Sequence, residues 1–359
     1  MPGASESKTT LAYILWVSAL LLTAGGALAA AEPPRGDPAA RLLQSKHASD
    51  TWDLTIELDG GYWVVAQATI SKLGPGDRTG AVVGHVIGPD GRAYEFHKVR
   101  RDGAWKLSAD RRRLDLGPIV FDQSVRPARF QVGKKRVDLD LQIDLGTDRA
   151  WSEAFTGSEY GLDLLALAAP VHGSLQLRGD AAREVSGRAI LTHRWMNALE
   201  ASLVQRRVEL FGFHGATGLY FSEVTPPGGD PRRWLVVGRD GRMAEVGAGF
   251  EARFRPAGSD AERSGAPAGL EIAAGGDSGR ATLGPVVLRD EPLSRAPWFA
   301  RWWLTRLTRP RFVWSEAAFD FRVRDPAGSG NLRLAGTGLV EVGRFDPKAR
   351  VPADSWGER

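Results

Sequence analysis

Residues 186–197 read SGRAILTHRWMN. Strand periodicity places Ala189, Leu191, His193 and Trp195 on one face and Arg188, Ile190, Thr192 and Arg194 on the other. The first face is apolar until it ends in a histidine and a tryptophan two residues apart. Such an end is either the wall of a pocket or a satisfied core histidine beside a packing tryptophan.

The same period recurs along the chain. Val137, Leu139, Leu141, Ile143 and Leu145 alternate with Asp138, Asp140, Gln142 and Asp144, which predicts a half-buried strand with one wet face. Phe319, Phe321 and Val323 alternate with Asp320, Arg322 and Arg324 in the same way. Residues 62–70, 81–87, 208–213 and 332–342 predict further strands. Turn signals separate them: GPDG at 88–91, RDG at 101–103, PPGG at 226–229 and RDG at 239–241. Short strands at regular spacing indicate barrels or sandwiches. A weak repeat supports a tandem arrangement. Residues 64–92 run strand, Gly-Pro-Gly loop, strand, then GPDGR; residues 219–242 run strand, Pro-Pro-Gly-Gly loop, strand, then GRDGR. The junction between the two modules is placed near Asp180. Residues 257–279, rich in Gly, Ala and Ser, read as a loop or weak hairpin.

Composition agrees with an all-β chain of two ordinary domains. The protein has 359 residues, with 43 Gly and 21 Pro in short pieces. The net charge of +4 is too small and too scattered to argue for nucleic acid. The chain has no Cys, which excludes disulfides, thiol catalysis and cysteine metal sites. The six histidines are never three to five residues apart, so neither a metal site nor a cofactor is expected. No G-x-S-x-G elbow, H-E-x-x-H, P-loop or dinucleotide fingerprint occurs.

Residues 11–31 are apolar throughout, Lys8 precedes them, and small residues at 27–31 fit a cleavage site. Residues 1–31 therefore read as an export signal or an uncleaved membrane anchor, with 32–50 as a linker. Either way the folded part lies outside the cytoplasm, in the periplasm or at the outer face of the inner membrane. Near the other end, residues 297–309 read PWFARWWLTRLTR and predict a short amphipathic helix bracketed by Pro297 and Pro310. It is either an interfacial helix, with Trp298, Trp302, Trp303 and Arg306 at a membrane surface, or a helix that plugs a barrel end.

His85 and His97 flank the turn at 88–92. A hairpin folded about Asp90 sets His85 opposite Glu95 and His97 diagonally beyond, a face that could bind a polar head group or be a polar exposed surface. The 12 Trp residues offer the large aromatics that an apolar ligand cavity, or any large barrel core, needs.

Three blocks carry a resemblance to a known superfamily: GYWVVAQATISKLGPGDRTGAVVGHVIGPDGRAYEF at 61–96, VSGRAILTHRWMN at 185–197 and RRVELFGFHGATGLYFSEVTPPGG at 206–229. The chain resembles the tandem lipocalin-like proteins that include the fungal survival-factor family and the bacterial hydroxyneurosporene synthases (carotenoid 1,2-hydratases). The resemblance implies two consecutive antiparallel barrels over most of 51–342. The fungal branch implies lipid handling, and the bacterial branch implies addition of water across a terminal double bond of an acyclic carotenoid. The hydratase strand reads roughly G-Y-x-D-H-x-W-G. Here His193 and Trp195 match its His and Trp, while Thr192, Ile190 and Met196 stand in place of its Asp, Tyr and Gly. Without the acid and its neighbour, the hydratase activity does not carry over.

The expected architecture is therefore all-β: two lipocalin-like β-barrels, 51–180 and 181–346, with a tail at 347–359. The expected function is binding of a lipid or another long apolar molecule by an exported, non-enzymatic protein, in one barrel or between the two, in lipid transport or envelope stress. His193, Trp195 and His214 are assigned to the second module's site, and Trp63, His85 and His97 to the first. The competing reading is an isoprenoid hydratase in which Glu159, Glu223 or His193 itself replaces the missing aspartate.

Overall fold

A computed structural model describes residues 36–72, 77–146, 151–155, 159–239, 242–245, 251–255, 269–274, 277–292, 309–325 and 330–346. The expected signal or anchor at 1–31, the tail at 347–359, and Trp298, Trp302, Trp303 and Arg306 lie outside these residues. Of the segment expected to be helical, Arg309 is described, and it opens a strand.

The chain is all-β, built as two curled antiparallel half-barrel sheets. The first contains β1 (Ser49–Leu58), β2 (Tyr62–Ser71), β3 (Thr79–Ile87), β4 (Ala93–Arg100), β5 (Lys106–Leu107), β6 (Arg113–Asp115), β7 (Ile119–Asp122), β8 (Ala128–Lys134), β9 (Val137–Ile143), β10 (Trp151–Phe155), β11 (Tyr160–Leu177) and β12 (Arg183–Met196). A single turn of helix, α1 (Glu200–Leu203), leads into the second. That sheet holds β13 (Arg206–His214), β14 (Thr217–Thr225), β15 (Arg232–Arg239), β16 (Arg242–Glu245), β17 (Glu251–Arg255), β18 (Gly269–Ala274), β19 (Asp277–Asp290), β20 (Arg309–Arg324) and β21 (Asn331–Asp346).

Both sheets share one plan. The first runs β4-β3-β2-β1-β12-β11-β9-β8-β7-β6-β5, and the second β16-β15-β14-β13-β21-β20-β19-β18-β17. In each, the edge strands are neighbours in sequence, so the sheet curls until its ends approach. Among the described residues neither ladder closes, so the two lipocalin-like barrels expected are half-barrel sheets. The repeat read from sequence has a structural basis: β2–β3 and β14–β15 occupy equivalent places. Residues 186–196, expected in the second module, lie in β12. It instead pairs with β1 over ten residues, Ser49↔Met196 to Leu58↔Gly187, and completes the first sheet. Of the segment read as a loop or weak hairpin, residues 269–274 form β18, which pairs with β19 from Gly269↔Thr282 to Ala274↔Asp277.

The burial patterns show where the sheets meet. β9 alternates buried and exposed positions, as one wet face requires. β1, β12, β13 and β14 are instead buried at nearly every position of their central lengths. One face of these strands covers a core inside its own sheet, and the other presses on the opposite sheet. Three apolar cores result: one inside the first sheet, around Leu54, Ile56, Phe130 and Leu191; one inside the second, around Leu210, Phe221, Phe319 and Val340; and one between them, around Trp63, Ile190, Phe211, Tyr220 and Trp314.

A knob and a slot align the sheets. Gly218 of β14 lies directly opposite Gly238 of β15. A Cβ at either position would come within 2.7 and 2.9 Å of Leu167, so the two missing side chains make room for Leu167 from β11. Around Leu167 the β11–β12 register shifts twice, and Ala168 adopts φ 60°, a left-handed conformation that a residue bearing Cβ rarely takes.

Residues 36–48, expected to be linker, are docked against the first sheet. Ala39 and Ala40 are buried, and the Ala40 amide donates to the Arg111 carbonyl at 2.9 Å. Trp52 donates its indole N–H to the Pro38 carbonyl at 3.0 Å, and Asp37 pairs with Arg112 at 2.9 Å. Among the described residues no helix is long and apolar enough to cross a membrane.

Candidate functional site

The two faces of β12 carry two buried polar clusters. On the inner face, His193 is fully buried, lies opposite Trp52 of β1 and Asp163 of β11, and stacks on Trp52 at 4.8 Å. Its Nε2 is 3.1 Å from Asp50 and its Nδ1 3.9 Å from Asp163. Arg41 reaches in from the docked segment, pairs with Asp163 at 3.1 Å and lies over the Trp195 ring at 4.6 Å. Asp50 accepts the backbone N–H of Arg41 and of Leu42. The apolar face thus ends in an ion-paired closure, in which the His193 Nδ1 and the Trp195 indole N–H are buried without a hydrogen-bond partner.

On the outer face, Arg194 joins the two sheets. It pairs with Asp53 at 2.5 Å and with Glu209 at 2.9 Å. Arg207 pairs with Glu209 and Glu341 at 2.8 Å each and with Glu200 at 2.6 Å. Burial alone would raise the Glu209 pKa, but Arg194 and Arg207 flank it and hold it below the ordinary value. Burial and each other's charge work against the two guanidiniums, yet the carboxylates around them keep both above the usual arginine range. Glu341 fares differently. It shares Arg207 with two other carboxylates, and burial pushes its pKa up to about 7 despite that partner.

A pH dependence follows. The Glu341 carboxyl ionises near its ordinary value of 4.5 in the unfolded chain and near 7 in the folded one. Between these values the folded state holds a proton that the unfolded state has lost. The contribution of this group is full below pH 4.5 and is lost as pH rises through about 7, with a span of about 3 kcal/mol. Glu341→Gln is expected to flatten the dependence of the urea midpoint on pH across this window. An unchanged slope in the variant would contradict the assignment.

Two cavities lie between the sheets. The smaller, about 70 Å³, is lined by Asp53, Gln67 and His85 of the first sheet and by Leu288, Phe312, Trp314 and Glu341 of the second. The larger, about 230 Å³, lies beside the Leu167 knob. Its wall is Leu145, Ala166, Leu167, Ala168, Ala169, Pro170, Ala216 and Met243, and its polar lining includes Arg239 and Arg242.

Of the residues singled out from sequence, His85 lines the smaller cavity. His193 and Trp195 belong to the first sheet, not the second, and face its packed interior. Trp63 is buried in the core between the sheets, 6.0 Å from Phe213. The hairpin register places His85 opposite Glu95, and His97 bonds Glu95 at 3.0 Å, but His97 is 53% exposed. His214 is exposed and bonds the Ala335 carbonyl. Glu223 is enclosed between Arg206 and Arg233, and Glu159 is exposed. Among the described residues no group of acids and histidines could hold a metal ion.

The sequence reading passed over Asp53, Arg194, Glu209 and Glu341. Their signal is charge on strands that are otherwise apolar. Arg207 and Glu209 share a strand face with Phe211 and Phe213, and Glu341 stands between Val340 and Val342. Asp53 also sets a carboxylate 3.5 Å from Thr192, the position at which the hydratase pattern carries its acid.

No protein-family model and no curated protein matches the sequence. Solved structures do match. A protein assigned as AttH from Nitrosomonas europaea superposes with a TM-score of 0.57 at 13% identity, over 83% of this chain and 92% of its own. CghA, in its structure with Sch210972, gives 0.55 at 9% identity, over 85% and 90%. Kievitone hydratase from Nectria haematococca gives 0.50 at 12% identity, over 88% and 94%. The protein has the two-sheet lipocalin-like fold. At these identities the likeness establishes fold alone, and the function of this lipocalin-like chain has to be argued from its own residues.

Proposed function

We propose that this protein is exported and binds a lipid or another long apolar molecule in the crevice between its two sheets, in lipid transport or envelope stress. The carrying observation is the larger cavity. Its wall is mostly apolar, with Asp144, Arg239 and Arg242 as its charged members, and it lies between the two sheets. At about 230 Å³ it is smaller than a full drug-sized pocket of ~300–1,000 Å³, so it encloses part of a ligand whose remainder lies along the crevice. The left-handed Ala168 in its wall is a local strain of the kind that collects at ligand sites.

Native mass spectrometry of protein purified from its own envelope is expected to show a co-purifying lipid. A fluorescent acyl probe is expected to bind the wild type. Ala216→Trp, an exposed position at the cavity rim, is expected to abolish that binding with little change in thermal stability. Probe binding that survives Ala216→Trp contradicts the site, and absence of both lipid and probe binding contradicts the function. N-terminal sequencing of the mature protein tests export.

One observation favours a second reading, hydration of an isoprenoid double bond. A carboxyl that keeps its proton near neutrality, Glu341, lines the smaller cavity together with His85. Conversion of an acyclic carotenoid by the wild type but not by Glu341→Gln would support it, and no conversion by the wild type would remove it.

A further inference from the structure

We infer that the larger cavity takes an amphiphile with an anionic head, a carboxylate or a phosphate, held between Arg239 and Arg242. The inference rests on the inter-sheet binding proposed above and adds the chemical class of the ligand.

Arg239 ends β15 and Arg242 begins β16, and the two are direct cross-strand partners. Like charges directly opposite one another on a sheet repel and destabilise the pair. Here the pair occurs where the lining of an otherwise apolar cavity turns polar. Asp325 pairs with Arg239 at 3.4 Å. Asp144, the acid in the same cavity lining, turns an oxygen back to accept the Gly146 amide at 3.1 Å. Arg242 is exposed and makes no ion pair among the described residues.

An anion between the two guanidiniums would turn their repulsion into two charge-assisted hydrogen bonds. Its apolar tail would then run over Leu145, Pro170 and Met243 into the cavity. Two arginines suit a planar carboxylate or a phosphate better than a single ammonium would, because each offers a fork of donors.

The test compares decanoate, decanol and decyl phosphate by isothermal titration calorimetry on the whole protein. The tails are equal, so differences in affinity report the head. Decanoate or decyl phosphate is expected to bind about tenfold or more tighter than decanol, as a charge-assisted contact implies. The preference is expected to shrink in 0.5 M salt, since the arginines lie near solvent. Preference for decanoate assigns a fatty-acid-like head, and preference for decyl phosphate a phosphorylated one; either result supports the anion. Arg242→Ala, at an exposed position, is expected to bring decanoate close to decanol while leaving decanol unchanged. Arg239→Gln is expected to act in the same direction.

Equal binding of all three probes overturns the anionic head while leaving the apolar site intact. An undiminished preference in both arginine variants overturns the assignment to this pair. Failure of all three probes to bind overturns the inter-sheet site itself.

Discussion

Arg207→Met is expected to lower the unfolding free energy by about 3–5 kcal/mol, the usual result of removing one partner from a buried ion network. That is a large share of the about 5–15 kcal/mol that holds a typical domain folded. The methionine keeps most of the apolar stem, so the loss is electrostatic rather than a cavity. Arg207 is 1% exposed and is the shared partner of Glu200, Glu209 and Glu341. Its removal leaves Glu209 with Arg194 and takes from Glu200 and Glu341 the guanidinium they share. Urea denaturation near pH 7.5, where Glu341 is mostly ionised, measures the effect. The double variant Arg207→Met with Glu341→Gln is expected to recover part of the loss, because one stranded charge is gone. A single-variant change below about 1 kcal/mol would show that the network does not hold the sheets together.

Arg41→Ala is expected to release the segment that closes the first half-barrel. The guanidinium ties that segment to Asp163 at 3.1 Å, with both groups almost fully buried. Without it, Asp163 is left with the His193 Nδ1 at 3.9 Å. A loss of about 3 kcal/mol or more is expected in global stability. The local effect is more diagnostic. The Arg41 and Leu42 amides donate to Asp50 at 3.0 and 2.8 Å, so they are protected while the segment is seated. Hydrogen exchange across 39–42 is expected to rise towards the rate of an open chain, while β13–β15 stay protected. Protection retained in the variant would mean that the segment is held by its other anchors, among them the Asp37–Arg112 pair.

Much of the fold is legible in the sequence, because sheet alternation is local. The Val137–Leu145 pattern marks β9, the Phe319–Val323 pattern lies within β20, and the paired loops of 64–92 and 219–242 mark equivalent hairpins. The assignment of β12 to a module was not legible. A strand of that composition pairs equally well with either neighbour in sequence, and the choice falls to contacts more than a hundred residues away, Ser49–Leu58 above all. The docked segment was missed for a related reason. Pro, Ala and Arg at 33–41 have the composition of a tether, and only the buried Asp163 makes Arg41 a core residue.

The candidate site divides along the same line. From the sequence alone came an all-β chain, its repeat, the two faces of residues 186–197, and the match of His193 and Trp195 to a catalytic family without that family's acid. Tertiary structure decided which of those faces matters. It packed an apolar core inside each half-barrel, enclosed His193 at the end of the first, and placed a cavity between the sheets. It also brought Asp53 against Arg194 and Thr192. The physical reason is range. A strand's period is set by its own residues, whereas burial, pKa and cavity volume are set by whatever the opposite sheet brings to each side chain.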